Sequence, residues 1–330
     1  MTSRTMQVHI DDRARLLSAV LSATSWPEIE QRRNRHRAHA HARGTARRVA
    51  ALVEHPAVRT LQSLLDAGIS LEKLYTYALN LSWPGFSMDG GFAWAPAGWN
   101  EQLGDFYLSA GLAEWWDQED ILWQRAAEQM AKVVSAAALA HFFEPFVGPV
   151  RFTLAVMPNI SYPSDSEIGL RLPGALVCIM PPRIAWGDNE PWPFDDDPAY
   201  VFRGLAAEYG RLLMLGYLRE HAAETRLASL APLPVGRAFR AQHPTWAEQF
   251  ARLFAMGAAA IFLERAISYQ EAQAYVLMES RVHGAAMLPG VVSVLKRYLA
   301  AYDEGRYTRF ADYLPGFSER LRTAMDIPSC

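Results

Sequence analysis

The chain has 330 residues, 51% of them hydrophobic and 20% charged, enough to bury a sizeable core as one large domain or two ordinary ones. A formal net charge of −3 gives no general attraction to nucleic acid or anionic membranes, and two cysteines, Cys178 and Cys330, support neither a disulfide framework nor a cysteine-built zinc site. The start, Met1-Thr2-Ser3-Arg4, lacks the apolar run of a secretory signal, and the most apolar stretches, 133–143 and 253–263, are eleven residues each, short of the ~20 that span a bilayer.

The first half reads as helix by period. Asp11 and Asp12 precede Leu16, Leu17, Val20 and Leu21, an acidic start to a short amphipathic helix. Trp26-Pro27 interrupts it, and a longer polar helix is predicted to about Val53. Pro56 opens the next, with Val58, Leu61, Leu64 and Leu65 at helical spacing, and 71–79 repeats the pattern. A Pro- and Gly-rich loop covers 84–98, and one long helix is predicted from about Glu114 to Phe143. After Gly148 the character changes: 151–157 and 175–180 read as short apolar strands, and the acidic, Pro-rich loop 187–198 ends on Asp197-Pro198, a helix start. The helix from Pro198 carries Val201, Leu205, Tyr209, Leu212 and Leu213 on one side, with Glu208 on the shoulder of that stripe. A loop over 231–244 leads to a helix near Thr245 whose stretch 253–263 is uncharged on every face and so reads as buried all round. Helical segments at 268–281, 290–304 and from Phe310 complete the chain.

Two strands, a loop and a helix edged by a glutamate form the framework of HExxH zinc hydrolases. There, histidines at i and i+4 reach one ion, and the glutamate between them takes a proton from the metal-bound water. Residues 201–220, V-F-R-G-L-A-A-E-Y-G-R-L-L-M-L-G-Y-L-R-E, resemble the active-site helix of the gluzincin group, whose third ligand is a glutamate on a later helix. By that resemblance Ala207 stands at the first histidine, Glu208 at the catalytic glutamate and Arg211 at the second histidine. Glu248, 40 residues after Glu208 in W-A-E-Q-F-A-R-L, resembles the third-ligand segment E-x-x-x-R-A.

Other segments point the same way. V-A-A-L-V-E-H-P-A-V, ending at Val58, resembles a "F-x-x-Y-x-x-H-P-A-V" segment, and residues 13–22 resemble an opening helix. Gln102-Leu-Gly-Asp-Phe-Tyr107 resembles an "L-x-D-F-Y" turn, 143–148 a Phe-Gly end before the first strand, and 305–315 a closing "R-K-Y-x-x-F-x-D-F-x-P". In order and across nearly the whole chain, these are similar to an uncharacterised bacterial family of predicted gluzincin-type zinc metallopeptidases. The resemblance implies an α+β, mainly helical, zincin-like fold: an N-terminal helical region over 1–148 and a catalytic-type domain over 149–330, its small sheet preceding the active-site helix, all packed as one unit.

The departure from the family pattern bears on function. Without both imidazoles, Glu208 and Glu248 make a poor zinc site, and Arg211 brings a permanent cation to the metal's place. Zinc is expected to be absent, with Ala207, Arg211 and Glu248 as vestigial positions and Arg211 pairing with Glu248, and with Glu208, in the metal's stead. The plainer reading of the same residues is a helix that never held a metal, with Glu208 and Arg211 as an exposed i, i+3 pair.

Two functions remain open. One is a pseudoenzyme that binds a peptide or protein partner in the former cleft, by strand addition alongside 175–180. The other is a hydrolase with a rearranged, non-zinc site, using Glu208 as general base with a tyrosine or His283 assisting. The Arg/His-rich segment 32–48 lacks the interleaved aromatics of a nucleic-acid strip and reads as a solvated helix face. His36 and His39 share a helical face there, but His41 does not. A cytoplasmic protein with no nucleic-acid or membrane partner is the expectation.

Overall fold

Asp11 lies in extended backbone and its carboxylate accepts the Arg13 N–H at 2.9 Å, so the first helix opens at Asp12, where the acidic pair places it. The computed structural model describes residues 6–34, 39–134, 138–183, 190, 192–282 and 284–325. The chain divides into two units, 1–135 with 153–197, and 136–152 with 198–330.

Among the described residues the first unit holds strand β1 (Gln7–Val8) and seven α-helices: α1 (Asp12–Ser22), α2 (Trp26–Asn34), α3 (Ala40–Val49), α4 (Pro56–Asp66), α5 (Leu71–Leu79), α6 (Trp99–Ser109) and α7 (Leu112–Val134). Strands β2 (Thr153–Pro158), β3 (Ile168–Leu172) and β4 (Ala175–Met180) complete it. The sheet order is β1-β2-β4-β3, with β1, β2 and β4 parallel and β3 antiparallel to β4. Leu172 pairs with Ala175 across Pro173-Gly174, and Gly174 has φ +74°, the left-handed conformation a proline–glycine turn requires. Helix α1 is buried from Ala14 to Ser22 and forms the unit's centre. Its Ser18 hydroxyl lies 2.7 Å from the Tyr75 hydroxyl and accepts from Asn159 Nδ2 at 2.8 Å, tying α1 to α5 and to the end of β2. Burial raises the Tyr75 phenol well above its ordinary range, so it stays a neutral donor.

Two of the family-like segments meet here. The His55 side chain caps α4 by accepting the Ala57 N–H at Nδ1, and its Nε2 lies 3.1 Å from Asp105 of the 102–107 segment, which is part of helix α6 rather than the turn expected. The Phe106 ring packs edge-on to the same imidazole at 5.3 Å. His55-Pro56 is thus a helix start braced from outside, a structural use of a histidine.

The second unit is helical: α8 (Leu139–Val147), α9 (Pro198–Glu220), α10 (Ala222–Ser229), α11 (Arg237–Gln242), α12 (Trp246–Ala266), α13 (Tyr269–Arg281), α14 (Leu288–Asp303), α15 (Phe310–Tyr313) and α16 (Phe317–Met325). Phe142 of α8 packs on Phe262, and Phe146 packs on Phe254, Tyr298 and Phe310. The 305–315 segment contributes Tyr307, Phe310 and Tyr313 around Tyr298, whose hydroxyl donates to the Pro145 carbonyl at 2.6 Å.

The architecture is α+β and mainly helical, with a small mixed sheet, as expected. Its division differs from the boundary read at 148/149. The strands rejoin the first half of the chain, pairing with β1 and packing against α5 and α7, while α8 belongs with the later helices. The sheet therefore shares its unit with α1–α7 rather than with the Glu208 helix. The expected helix 114–143 is two helices, α7 and α8, and the polar helix to Val53 is α2 and α3, with 35–38 outside the described residues. The expected loop 231–244 carries α11. Strands β1 and β3 are additional to the two read from sequence. Among the described residues no single helix is long and apolar enough to cross a membrane.

Candidate functional site: a guanidinium-locked glutamate

Helix α9 opens on Pro198, whose missing N–H costs nothing in the first turn, and is buried on nearly every face from Tyr200 to Leu218. Helix α12 matches it with a buried alanine-rich run that includes Ala251, Ala255, Ala258 and Ala259. The two run antiparallel in close contact: Phe202 lies against Phe262, and Glu208 meets Arg252. Gly210 faces both α8 and α12: a Cβ there would stand 3.1 Å from the Phe143 ring, a tight contact, and 3.6 Å from the Ala255 Cα, an ordinary one. That close approach places Glu208, only 7% exposed, where a charge is stable only if paired.

The pairing is supplied by arginines. Arg211 donates to Glu208 Oε2 from Nε at 3.1 Å and from Nη2 at 2.7 Å, and Arg252 donates to Oε1 from Nη1 at 3.4 Å. The Glu208 and Arg211 side chains are 10% and 15% exposed, so this is a buried pair rather than a solvated i, i+3 contact.

Glu248 has a different task. Thr245 Oγ1 accepts the Glu248 N–H at 3.2 Å, and the Glu248 carboxylate accepts the Thr245 N–H at 2.9 Å and its hydroxyl at 2.8 Å. This capping box opens α12 and occupies the carboxylate assigned by resemblance to the third ligand. The Arg211 pair shown by these bonds is with Glu208, not the Glu248 pair expected first.

His243, the residue that ends α11, stands in the same field. Burial lowers its imidazole from the ordinary value, Arg252 and Arg211 lower it further, and Glu248 opposes them. Ala207 is buried and offers no donor atom. His283 lies outside the described residues. Sequence reasoning passed over Arg252, although it stands four residues after Glu248 in the segment resembling E-x-x-x-R-A.

The donor set does not fit zinc. One carboxylate is held by two guanidiniums, the second caps a helix, and the positions assigned by resemblance to histidines, Ala207 and Arg211, carry a methyl group and a permanent cation. Among the described residues no three His, Cys, Asp or Glu side chains gather into a group that could hold a metal. Nor can β4 receive a peptide along its side, because β2 and β3 pair with it on both sides.

No protein-family model, no curated protein and no solved structure matches the chain.

Proposed function

We propose that the chain is a non-catalytic counterpart of gluzincin-type metallopeptidases, retained as a binding protein for a peptide or protein partner. The observation that supports this reading is the guanidinium pair on Glu208. A general base needs an oxygen directed at the proton it removes, and both Glu208 oxygens accept from arginine. Zinc would have to displace the Arg211 cation and would gain no imidazole in return. Arg252, a third of whose side chain is exposed, presents a positive edge suited to a carboxylate of an acidic partner peptide.

Two measurements on the full chain test the reading. Zinc titration of the wild-type protein is expected to give no stoichiometric site, while the double variant A207H/R211H gains one. A casein or mixed-peptide assay is expected to show no turnover that Glu208→Gln removes. Hydrolysis abolished by that substitution would instead establish the alternative, a hydrolase that uses Glu208 as base without zinc.

A further inference from the structure

In the first unit the start of α1, the later part of α6 and one stripe of α7 border a cleft of about 600 Å³, within the size range of small-molecule sites. Ala113, Trp116, Asp117, Asp120 and Gln124 recur at helical spacing and so share one face of α7. Asp12 of α1, Trp83 and Tyr107 of α6 line the cleft with them. Its walls are tied in place. Arg13 is clamped by Asp11 at 2.6 Å and donates to the Leu79 and Leu81 carbonyls. The Arg15 guanidinium lies over both the Trp116 and Trp123 rings, 4.3 and 4.2 Å from their centroids, and donates to Asp12 at 2.9 Å. Tyr107 packs on Trp83 at 5.1 Å and on Trp116 at 5.5 Å.

What the cleft leaves without partners is a mixture of donors and acceptors. Trp116 is only 4% exposed, yet its indole N–H meets no acceptor among the described residues. Unlike the indole nitrogens of Trp99 and Trp123, it is not sealed off, so a buried ring keeps an open donor on the cleft it lines. Asp117 is exposed and accepts no hydrogen bond among the described residues. Asp12 and Asp120 each have one oxygen taken, by Arg15 and by Gln124, and the other open. Burial raises the Tyr107 phenol from its ordinary value, with Asp12 and Asp117 adding and Arg15 opposing, so it stays protonated and can both donate and accept.

That mixture selects among ligands. An ammonium group would serve the carboxylates but offers no acceptor to the indole N–H, and an anion would face Asp12, Asp117 and Asp120. A hydroxyl meets both needs, donating to a carboxylate and accepting from an indole. A sugar ring carries several hydroxyls around a C–H face, and such a face rests on aromatic rings of the kind that Trp83 and Tyr107 supply. We infer that this cleft binds a neutral sugar, a pyranose or short oligosaccharide, whose hydroxyls donate to Asp117 and Asp120 and accept from Trp116 Nε1. The site lies in the first unit, so its fate is separable from that of the Glu208 pair in the second.

The test uses the full chain and a panel of neutral probes, methyl glucopyranoside, maltose, cellobiose, lactose and N,N′-diacetylchitobiose, followed by saturation-transfer NMR and calorimetry. The expected result is saturable one-to-one binding of at least one panel member, with no binding of choline as the cationic control. Asp117 is exposed and without a partner, so Asp117→Ala should fold as the wild type does. It should weaken the bound sugar about tenfold or more, since a hydrogen bond to a charged group is lost. Trp116→Phe keeps an aromatic ring beside Arg15 and removes the N–H donor, and a weakening is expected there too. Should that variant fail to fold, Asp117→Ala carries the test alone. No binding by any panel member, binding of choline in their place, or undiminished binding by folded Asp117→Ala or Trp116→Phe protein overturns the inference.

Discussion

Nη2 of Arg211 lies 2.7 Å from Oε2 of Glu208, one helical turn back along α9, and both side chains are largely buried. Removing one member of such a pair strands the other, whereas replacing both with apolar groups of similar volume removes the desolvation cost as well. Arg211→Ala is therefore expected to lower stability by about 3 kcal/mol, the order found for broken buried pairs. The double variant E208L/R211M is expected to stay within about 1 kcal/mol of wild type, where apolar replacements of buried pairs commonly fall. Urea midpoints with matched slopes would show it; equal losses in the two variants would contradict the pair's isolation from solvent.

The Thr245–Glu248 capping box leads to a second expectation. Thr245→Ala and Glu248→Ala should each cost about 1 kcal/mol, and the double variant clearly less than their sum, because each removes the other's partner. Thermal unfolding of the three variants measures this. An additive cycle would mean that Glu248 is held by something other than the cap.

His243 makes stability depend on pH. Its folded-state imidazole is lowered mainly by burial, then by Arg252 and Arg211, with Glu248 opposing. The unfolded chain therefore takes up that proton more readily. The stabilising contribution is complete above the ordinary value of 6.5 and is lost as pH falls through the lowered folded value. Denaturation midpoints taken downward from about pH 7.5 should fall less steeply in His243→Gln than in wild type, since the difference in proton uptake has been removed.

Gly257 and Gly44 should respond in opposite directions to alanine. A Cβ on Gly257 would meet Val291 Cγ1 at 2.7 Å and Leu295 Cδ1 at 2.8 Å, so α12 and α14 must part or repack, at a cost of about 1–3 kcal/mol. Gly44 meets nothing, and its replacement should stabilise by about 0.5–1 kcal/mol through helix propensity. Melting temperatures of the two variants decide the matter.

Local structure was readable where one residue carries a local cause. Asp11, Pro56 and Pro198 mark helix starts at or within one residue of those observed, and the uncharged run 253–263 lies fully buried in α12. Strand β3 was missed although Ile168, Leu170 and Leu172 alternate with Gly169 and Arg171 ahead of a Pro-Gly turn. The break between α7 and α8 has no such mark, since 134–139 contains neither proline nor glycine. Periodicity also does not say which elements a strand will join, and so the division at 148/149 missed the return of 153–197 to the first unit. At the site, the Glu208–Arg211 pair was legible from its spacing. The capping role of Glu248 was equally legible, since Thr245-Trp-Ala-Glu248 carries a capping signature as well as the likeness to a metal-ligand segment.

The passage of the chain between the two units matters during synthesis. Phe142, Phe143 and Phe146 leave the ribosome before any other described element of their own unit, and Pro145 waits 153 residues for the tyrosine that bonds to it. At translation rates of about 5–20 residues per second, that aromatic face stays unburied for on the order of ten seconds or more. For that interval α8 is a nascent apolar segment of the kind chaperones hold, and the timing of translation downstream sets how long it needs holding.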